Sequence, residues 1–340
     1  MNTKLQMMLQ LPKTMKAIVQ NGSKEKLQLI ELPLPIPAKG EVLIKMHTSP
    51  INPSDISLLN GTFATRPDYP LIPGIEGSGT VVKSGGGLIA NLRNGKNVAC
   101  TSTAGHGGTW AEYMVTSAMH VVPFNPKIGF EQASMMLVNP MTAMAFVKMA
   151  QQGKHKTIVN NAAASVLGKM LVRLCQNEKI NLVNIVRRND QAGQLLKMGA
   201  SYVLNSSDTE FYSQLSKLSA QLDARLFFDA IGGEHTSEII KAMPKGSKIV
   251  LYANLSGEAF SADSRTILQG NKSIGGFFLG NYASSQSTLN TLRTISKVKT
   301  LLQNELKAEI KQVYDMSQIN TAIDVYQQQM TGGKILIRLE

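Results

Sequence analysis

The stretch from Lys156 to Asp190 constrains the fold more than any other part of the chain. A short apolar run at residues 157–160 leads into a turn of small residues, then helical apolar spacing over residues 170–175, then a second apolar run at residues 181–186. The order strand, turn, helix, strand predicts a βαβ unit of the kind that holds a dinucleotide. An ordinary crossover that ends in a solvated arginine pair is the alternative.

The turn of this unit, residues 161–168, reads NAAASVLG and keeps only the last glycine, Gly168, of the G-x-G-x-x-G fingerprint. Small side chains still allow the backbone to approach a pyrophosphate at a helix N-terminus. We therefore expect a phosphate site in this turn, although the fingerprint by itself is weak.

Arg187 and Arg188 directly follow the second apolar run. They fall about twenty residues past the turn, where an NAD-binding chain carries an acid that accepts a hydrogen bond from the ribose 2′-OH. A guanidinium pair suits the 2′-phosphate dianion instead, because each fork donates charged hydrogen bonds. The sequence predicts a preference for NADP(H) over NAD(H).

Length and composition indicate a globular protein with more than one domain. The chain has 340 residues, 43% of them hydrophobic and 17% charged, and single cores rarely grow so large. No apolar run has the length that a membrane span needs. Residues 1–14 are interpreted as a short N-terminal extension without the features of a signal peptide. A cytoplasmic location is expected, with the mitochondrial matrix as the alternative.

The charge and the cysteine content limit which binding partners and which metal or disulfide sites are expected. The two cysteines, Cys100 and Cys175, are too few for a disulfide framework or a four-thiolate zinc site. The net charge of +12 comes from scattered basic residues without an interleaved aromatic patch. An anionic cofactor and a small-molecule electrophile are therefore the expected partners, rather than nucleic acid or a membrane.

The pattern of expected secondary structure changes near residue 130. Short strands punctuated by glycine precede it, and helices alternating with strands follow it, including one expected helix over residues 131–149. The later part predicts a six-stranded parallel sheet, and the strand at residues 334–339 is expected to return to the β-rich domain. The expected domains are residues 1–128, residues 129–285 with the dinucleotide site, and residues 286–340 as the return.

Several short motifs occur together in a set order, and they resemble the zinc-independent medium-chain dehydrogenases/reductases. Within that family the chain is most similar to the 2-enoyl thioester reductase and quinone oxidoreductase branch. The motifs are Met15-Lys-Ala, Ser49-Pro-Ile-Asn-Pro-Ser-Asp55, Pro73-Gly-Ile-Glu-Gly77, Gly108-Thr-Trp-Ala-Glu-Tyr113 and Asn139-Pro-Met-Thr-Ala143.

The resemblance implies an α/β protein with a GroES-like β-rich domain, a Rossmann-type doubly wound parallel sheet domain inserted in it, and an active cleft between them. It also implies a homodimer with NADPH as hydride donor. The cofactor-binding residues that it implies are Asn139, Ala164, Ser165, Val166, Leu167, Arg187, Arg188, Tyr252, Phe277, Leu279 and Lys334.

Zinc members of the wider family need a cysteine ligand early in the β-rich domain and a Gly-His-Glu after it. Here Asn52 stands at the position of the cysteine, and Gly74-Ile75-Glu76 lacks the histidine. One carboxylate without a soft ligand would hold zinc poorly, and the five histidines show no ligand spacing. The sequence predicts a protein without a metal.

One departure bears on mechanism. The resemblance implies a tyrosine in a Gly-x-Tyr context after the Asn-Pro-Ser-Asp motif, as proton donor or polarising group, and this chain has Gly61-Thr62-Phe63. Phenylalanine has no hydroxyl to donate. Another group or water then supplies the proton, or the substrate is not a thioester. Tyr69 and Tyr113 are candidates by residue type alone.

The predicted function is an NADPH-dependent reductase that transfers hydride to an activated C=C bond or a quinone. Asn52 and Thr142 are the predicted polar groups beside the nicotinamide, and Phe63 is the third residue assigned to the catalytic site. A turn asparagine and a helical hydroxyl bonded to its own backbone are equally open interpretations of Asn52 and Thr142. A non-catalytic NADPH-binding accessory protein is the alternative function, which Phe63 keeps open.

Overall fold

The computed structural model describes residues 11–63, 68–103 and 106–340. Residues 1–10, most of the expected N-terminal extension, therefore lie outside the described residues. In chain order the strands and helices are β1 (Thr14–Val19), β2 (Gln28–Pro33), β3 (Glu41–Pro50), α1 (Pro53–Leu59), β4 (Glu76–Ser84), α2 (Leu88–Arg93), β5 (Asn97–Thr101), β6 (Tyr113–Ser117), β7 (Val121–Pro123), α3 (Phe130–Ser134), α4 (Asn139–Gln152), β8 (Thr157–Asn160), α5 (Val166–Asn177), β9 (Asn181–Val186), α6 (Asn189–Lys197), β10 (Tyr202–Asn205), α7 (Phe211–Gln221), β11 (Leu226–Asp229), α8 (Gly233–Ala242), β12 (Lys248–Leu251), α9 (Ser264–Gly270), β13 (Ser273–Gly276), α10 (Leu279–Ser285), α11 (Thr288–Leu301), β14 (Ile310–Asp315), α12 (Ile319–Gln328) and β15 (Lys334–Arg338).

The chain divides into two compact units. The β unit comprises the described residues up to Leu137 together with Ile310–Gln329 and Lys334–Glu340, and the nucleotide unit comprises Val138–Glu309 and Met330–Gly333. The expected boundaries lay after residues 128 and 285. The helix α11 lies in the nucleotide unit, where its Val298 is buried and its Lys297 pairs with Glu178 at 2.6 Å.

The β unit is built on a long, mainly antiparallel sheet in the order β14-β15-β3-β4-β5-β7, and β6 also pairs with β3. The strands β1 and β2 form a separate antiparallel pair. The terminal strand β15 pairs antiparallel with residues 48–50 of β3. The core of the β unit is apolar and includes the buried side chains of Trp110, Met114, Tyr314 and Ile337.

The nucleotide unit is a six-stranded parallel sheet in the order β10-β9-β8-β11-β12-β13, as the sequence predicted. Its central strands β8 and β11 are buried throughout, as expected for a parallel sheet with helices on both faces. The strand order reverses between β8 and β11, and ligands of open α/β sheets bind at such a switch point.

One expected helix is two helices in the structure. The sequence pattern predicted a single helix over residues 131–149, but α3 ends at Ser134 and α4 begins at Asn139. Pro140 lies in the first turn of α4, where proline is tolerated, whereas inside a helix it would remove a hydrogen bond and clash with the preceding turn.

None of the described helices is long and apolar enough to cross a membrane.

Candidate functional site

The turn between β8 and α5 contains the residues of the predicted phosphate site. Ser165 caps α5, and its hydroxyl accepts a hydrogen bond from the Gly168 N–H at 3.1 Å. The remaining N–H groups of the first helical turn carry the positive end of the helix dipole, which favours an anion. Ala164 and Leu167 are buried, and Ser165 and Val166 are partly exposed.

Gly168 is required by close packing within this turn. A Cβ on it would lie 2.2 Å from the carbonyl oxygen of Ala163, so no other residue fits without moving the backbone. The retained glycine of the fingerprint therefore packs the start of α5 against the turn, as the third glycine of the dinucleotide motif does.

Both arginines after β9 are exposed. The Arg188 guanidinium donates to both carboxylate oxygens of Asp190, at 3.0 and 3.3 Å. This hydrogen bond holds the pKa of Asp190 below its ordinary value. Arg187 takes part in none of the ion pairs found among the described residues, while its backbone carbonyl accepts from the Ser207 hydroxyl at 2.8 Å.

A buried network of hydrogen bonds links the end of β8 to the end of β11, where the strand order reverses. Asp229, fully buried at the end of β11, accepts hydrogen bonds from the side chains of Asn161 and Thr236 and from the Ile231 N–H, the last at 2.9 Å. Asn161 in turn accepts from the Ala230 N–H at 2.7 Å. The sequence analysis missed this network. An acid that ends an apolar strand and precedes Gly232-Gly233 was the available signal.

An aromatic cluster contains two of the predicted cofactor-binding residues. Tyr252 and Phe277 each pack edge-on against Phe146, with ring centroids 5.0 Å apart in both pairs. Burial raises the pKa of the Tyr252 hydroxyl, and the Asp229 carboxylate adds to the rise, so this phenol stays neutral at physiological pH. Its hydroxyl donates to the Asn160 side chain at 3.5 Å.

In the β unit, the structure brings together two residues that the sequence had assigned separately. Asn52 and Lys334 are both buried, and the Lys334 ammonium donates to the Asn52 side-chain oxygen. The Asn52 amide donates to the Glu76 carboxylate at 3.1 Å, and the Asp55 carboxylate accepts from the Asn52 N–H at 2.8 Å. We call Asn52, Asp55, Glu76 and Lys334 the buried polar cluster.

Burial sets the ionisation of this cluster. It raises the pKa of Asp55 to about 7, with Glu76 adding to the rise and the Asn52 N–H and the Lys334 ammonium opposing it. Burial also lowers the pKa of Lys334, against the attraction of Glu76 and Asp55. One oxygen of Asp55 makes no hydrogen bond in the described part of the chain, so nothing on that oxygen offsets the effect of burial on the carboxylate.

The other predicted residues occupy ordinary positions in their elements. The Thr142 hydroxyl donates to the Val138 carbonyl of its own helix at 2.8 Å. Asn139 is the first residue of α4 and Leu279 the first of α10. Phe63 is partly buried after α1. The Tyr69 hydroxyl is shielded from water and makes no hydrogen bond with the described residues.

Sequence profiles of two domain families match the chain in succession. The Alcohol dehydrogenase GroES-like domain matches residues 38–126, and the Zinc-binding dehydrogenase domain matches residues 166–297. This chain is a medium-chain dehydrogenase/reductase. The family fold expected from the sequence is confirmed in both units.

Known members of the family are similar over most of the chain. The mitochondrial enoyl-[acyl-carrier-protein] reductase of Caenorhabditis elegans is 27% identical over 272 residues, covering 78% of this chain and 77% of that protein. A Mesorhizobium loti protein named as an NADPH:quinone reductase superimposes with a TM-score of 0.90 at 27% identity, covering 97% of this chain and all (100%) of that one. The Thermus thermophilus quinone oxidoreductase, solved also with NADPH, shares the fold with a TM-score of 0.80 at 21% identity, covering 96% and 100%. The chain lies in the enoyl reductase and quinone oxidoreductase branch.

The zinc that some medium-chain dehydrogenases/reductases hold does not fit the side chains of this one. Asn52 stands at the position of the cysteine ligand, and the ammonium of Lys334 donates a hydrogen bond to it. This positive charge would repel a divalent cation. No group of three or more His, Cys, Asp or Glu side chains placed to hold a metal occurs within the described ranges. Asn52 and Glu76 are bonded to each other and offer no soft donor.

Proposed function

We propose that this chain is an NADPH-dependent, zinc-independent reductase that transfers hydride to an activated C=C bond or a quinone. The observation that carries the proposal is the phosphate turn at the start of α5, followed by Arg187 and Arg188 at the end of β9. The reductases named among its relatives support an enzyme over the non-catalytic accessory protein.

The chain offers donors for each anionic part of the cofactor. The α5 N-terminus, capped by Ser165, would hold the pyrophosphate, and Arg187 and Arg188 would hold the 2′-phosphate. The remaining residues assigned to the dinucleotide are Asn139, Ala164, Val166, Leu167, Gly168, Tyr252, Phe277 and Leu279 in the nucleotide unit and Lys334 in the β unit.

NADPH supplies the hydride when it is bound. The protein positions the acceptor, excludes water and stabilises the negative charge that develops on the conjugated oxygen. Asn52 and Thr142 are the proposed polar groups for that oxygen. The bonds of Asn52 to Glu76 and Lys334 fix its orientation. The Thr142 hydroxyl donates its one proton to the Val138 carbonyl, so it must break that bond before it can donate to the substrate oxygen. The proton comes from a group other than Phe63.

Two substrate classes follow from the branch. The curated relatives are named for enoyl groups on acyl-carrier protein, and the Mesorhizobium structure is named for quinones. An enoyl thioester and an enone both need a proton at the α carbon, whereas a reduced quinone takes its protons on oxygen, where they exchange readily with water. Phe63 therefore favours the quinone as substrate.

A spectrophotometric assay tests the proposal. NADPH consumption is followed with crotonyl-type thioesters, a simple enone and a simple quinone, and NADH is the comparison. Saturable consumption with at least one acceptor is expected. Binding of NADPH without turnover of any acceptor would instead favour the accessory protein.

We further propose a homodimer in the cytoplasm, with the mitochondrial matrix as the alternative because the curated relatives are named mitochondrial. The partners are small-molecule electrophiles rather than nucleic acid or a membrane. The exposed edge strand β13 supports pairing with a second copy.

A further inference from the structure

The phosphate turn contains a residue in a conformation that its type disfavours. Ala162 has φ of +49°, in the left-handed region where an L-residue with a Cβ is strained and glycine is not. Such a conformation persists only when the surrounding structure fixes it, and it is often found where a ligand binds. Since the turn must keep this shape to present its N–H groups, what holds Ala162 controls the site.

The residues on either side of Ala162 are fixed to neighbouring strands. The Asn161 N–H donates to the Phe228 carbonyl at 3.3 Å, and the Ala163 N–H donates to the Ile185 carbonyl at 3.2 Å. These backbone bonds anchor the turn to β11 on one side and β9 on the other.

The Asn161 side chain adds a second anchor. Its amide donates to the Asp229 carboxylate, and its oxygen accepts from the Ala230 N–H at 2.7 Å. Asp229 is held in turn by the Ile231 N–H at 2.9 Å and by the Thr236 hydroxyl. Both side chains are at most 1% exposed, so water does not compete for these bonds. The pair ties the turn after β8 to the turn after β11.

We propose that Asn161 and Asp229 are positioning residues for the dinucleotide, which hold Ala162 in its left-handed conformation and thereby keep the phosphate turn ready to bind. The inference rests on the proposed NADPH function, and it adds residues that do not themselves touch the cofactor. Preorganisation of this kind increases affinity because the free protein has already lost the freedom that binding would remove.

The test uses Asn161→Ala, with Ala162→Gly as the rescuing change. Loss of the side-chain anchor is expected to weaken NADPH binding about tenfold to a hundredfold, the range for a hydrogen bond to a charged group. Glycine adopts the left-handed conformation without strain, so Asn161→Ala/Ala162→Gly should recover most of the affinity. Asp229→Asn should resemble Asn161→Ala and respond to the same rescue.

Asn184→Ala is the matched control. Asn184 is equally buried in the same sheet, but its amide donates to the carbonyls of Leu182 and Tyr202, at 3.2 and 3.1 Å, and not to the turn. We expect this variant to lose thermal stability and to bind NADPH like wild type. A merely structural role for Asn161 predicts that both variants behave alike.

A second measurement does not depend on the cofactor. Hydrogen exchange of the Ala163 and Ser165 amides in the free protein should accelerate in Asn161→Ala and return toward wild type with Ala162→Gly. Unchanged affinity and exchange in Asn161→Ala overturn the inference, and so does weakened binding that glycine does not rescue. Wild-type NADPH binding without any reductase activity would defeat the proposed function alone.

Discussion

The ammonium of Lys334 donates a hydrogen bond to the side-chain oxygen of Asn52, although the two residues are 282 positions apart in the chain. The bond forms because β15 returns to pair with the end of β3, next to which Asn52 lies. Glu76 accepts from the other end of the same amide. The amide is therefore fixed between a cation and a carboxylate, and its orientation depends on both charges.

The buried polar cluster predicts how stability changes with pH. The pKa of Asp55 is about 7 in the folded chain and 3.8 for an ordinary aspartate, so between these values the folded chain holds a proton that the unfolded chain has lost. Stability from this group is fully present below pH 3.8 and is lost as the pH rises through about 7. We expect a decrease of at most about 1.4 kcal/mol per pH unit.

Asp55→Asn removes this dependence and keeps an acceptor for the Asn52 N–H. The measurement is the free energy of urea unfolding of wild type and variant at several pH values between about 4 and 8. Because Glu76, Lys334 and Tyr326 also interact with Asp55, the relevant quantity is the difference between the two proteins. A difference that does not change with pH in this window would contradict the prediction.

The second prediction concerns cofactor preference. NADPH should bind more tightly than NADH, and Arg187→Ala should reduce the preference more than Arg188→Ala, because Arg188 must first leave Asp190. Charged hydrogen bonds contribute about 1.5–3 kcal/mol each, and exposure favours the lower end. Dissociation constants for both cofactors provide the measurement. Arg225→Ala is the matched control, since Arg225 forms a similar exposed pair with Asp223 and its loss should leave the preference for NADPH unchanged. Equal affinities of the wild type for NADH and NADPH would contradict the prediction.

The sequence predicted the elements that local patterns encode and missed those that depend on distant residues. The parallel strands β8 and β9 were recognisable as apolar runs between breakers, and Gly168 was recognisable from the fingerprint. The Asn161–Asp229 bond was not, because residues 68 positions apart meet only when β8 and β11 become neighbours in the sheet. The Lys334–Asn52 bond could not be predicted either, because these residues meet only when β15 pairs with β3.

The third prediction is that no stoichiometric zinc accompanies the protein. Lys334 contributes a positive charge where a metal would need a ligand, and Asn52 is already bonded on both side-chain atoms. Elemental analysis of the purified protein should find far less than one zinc per chain, and chelators should leave activity unchanged. About one zinc per chain, together with loss of activity on chelation, would show that this interpretation of the cluster is wrong.

The fourth prediction is a homodimer through β13. This strand is the last of the parallel sheet, and the nearby Phe278 is 49% exposed. A Cβ on Gly275 would have no other atom of the chain within 4 Å, so Gly275→Lys should leave the protomer folded. Its charge on the edge strand should weaken pairing. Light scattering should give the mass of a dimer for wild type and a lower mass for the variant. Gly193→Lys in α6, also in open space, should remain dimeric. A monomeric wild type at micromolar concentration would refute the proposal.

The last prediction concerns the proton. Phe63 lacks the hydroxyl that the enoyl reductase pattern places there, and a missing general acid costs about 10² to 10⁴ in rate. Phe63→Tyr should therefore increase turnover of an enoyl thioester and change quinone reduction little, since protonation matters less in that hydride step. Tyr69 and Tyr113 are the candidate donors by residue type. Tyr69→Phe is the companion variant, because the Tyr69 hydroxyl is buried without a hydrogen-bond partner in the described structure. Steady-state rates for both substrates decide between them. Rapid wild-type turnover of thioesters that falls in Tyr69→Phe and is unchanged in Phe63→Tyr would assign the proton to Tyr69, and the substitution at position 63 would then have no cost.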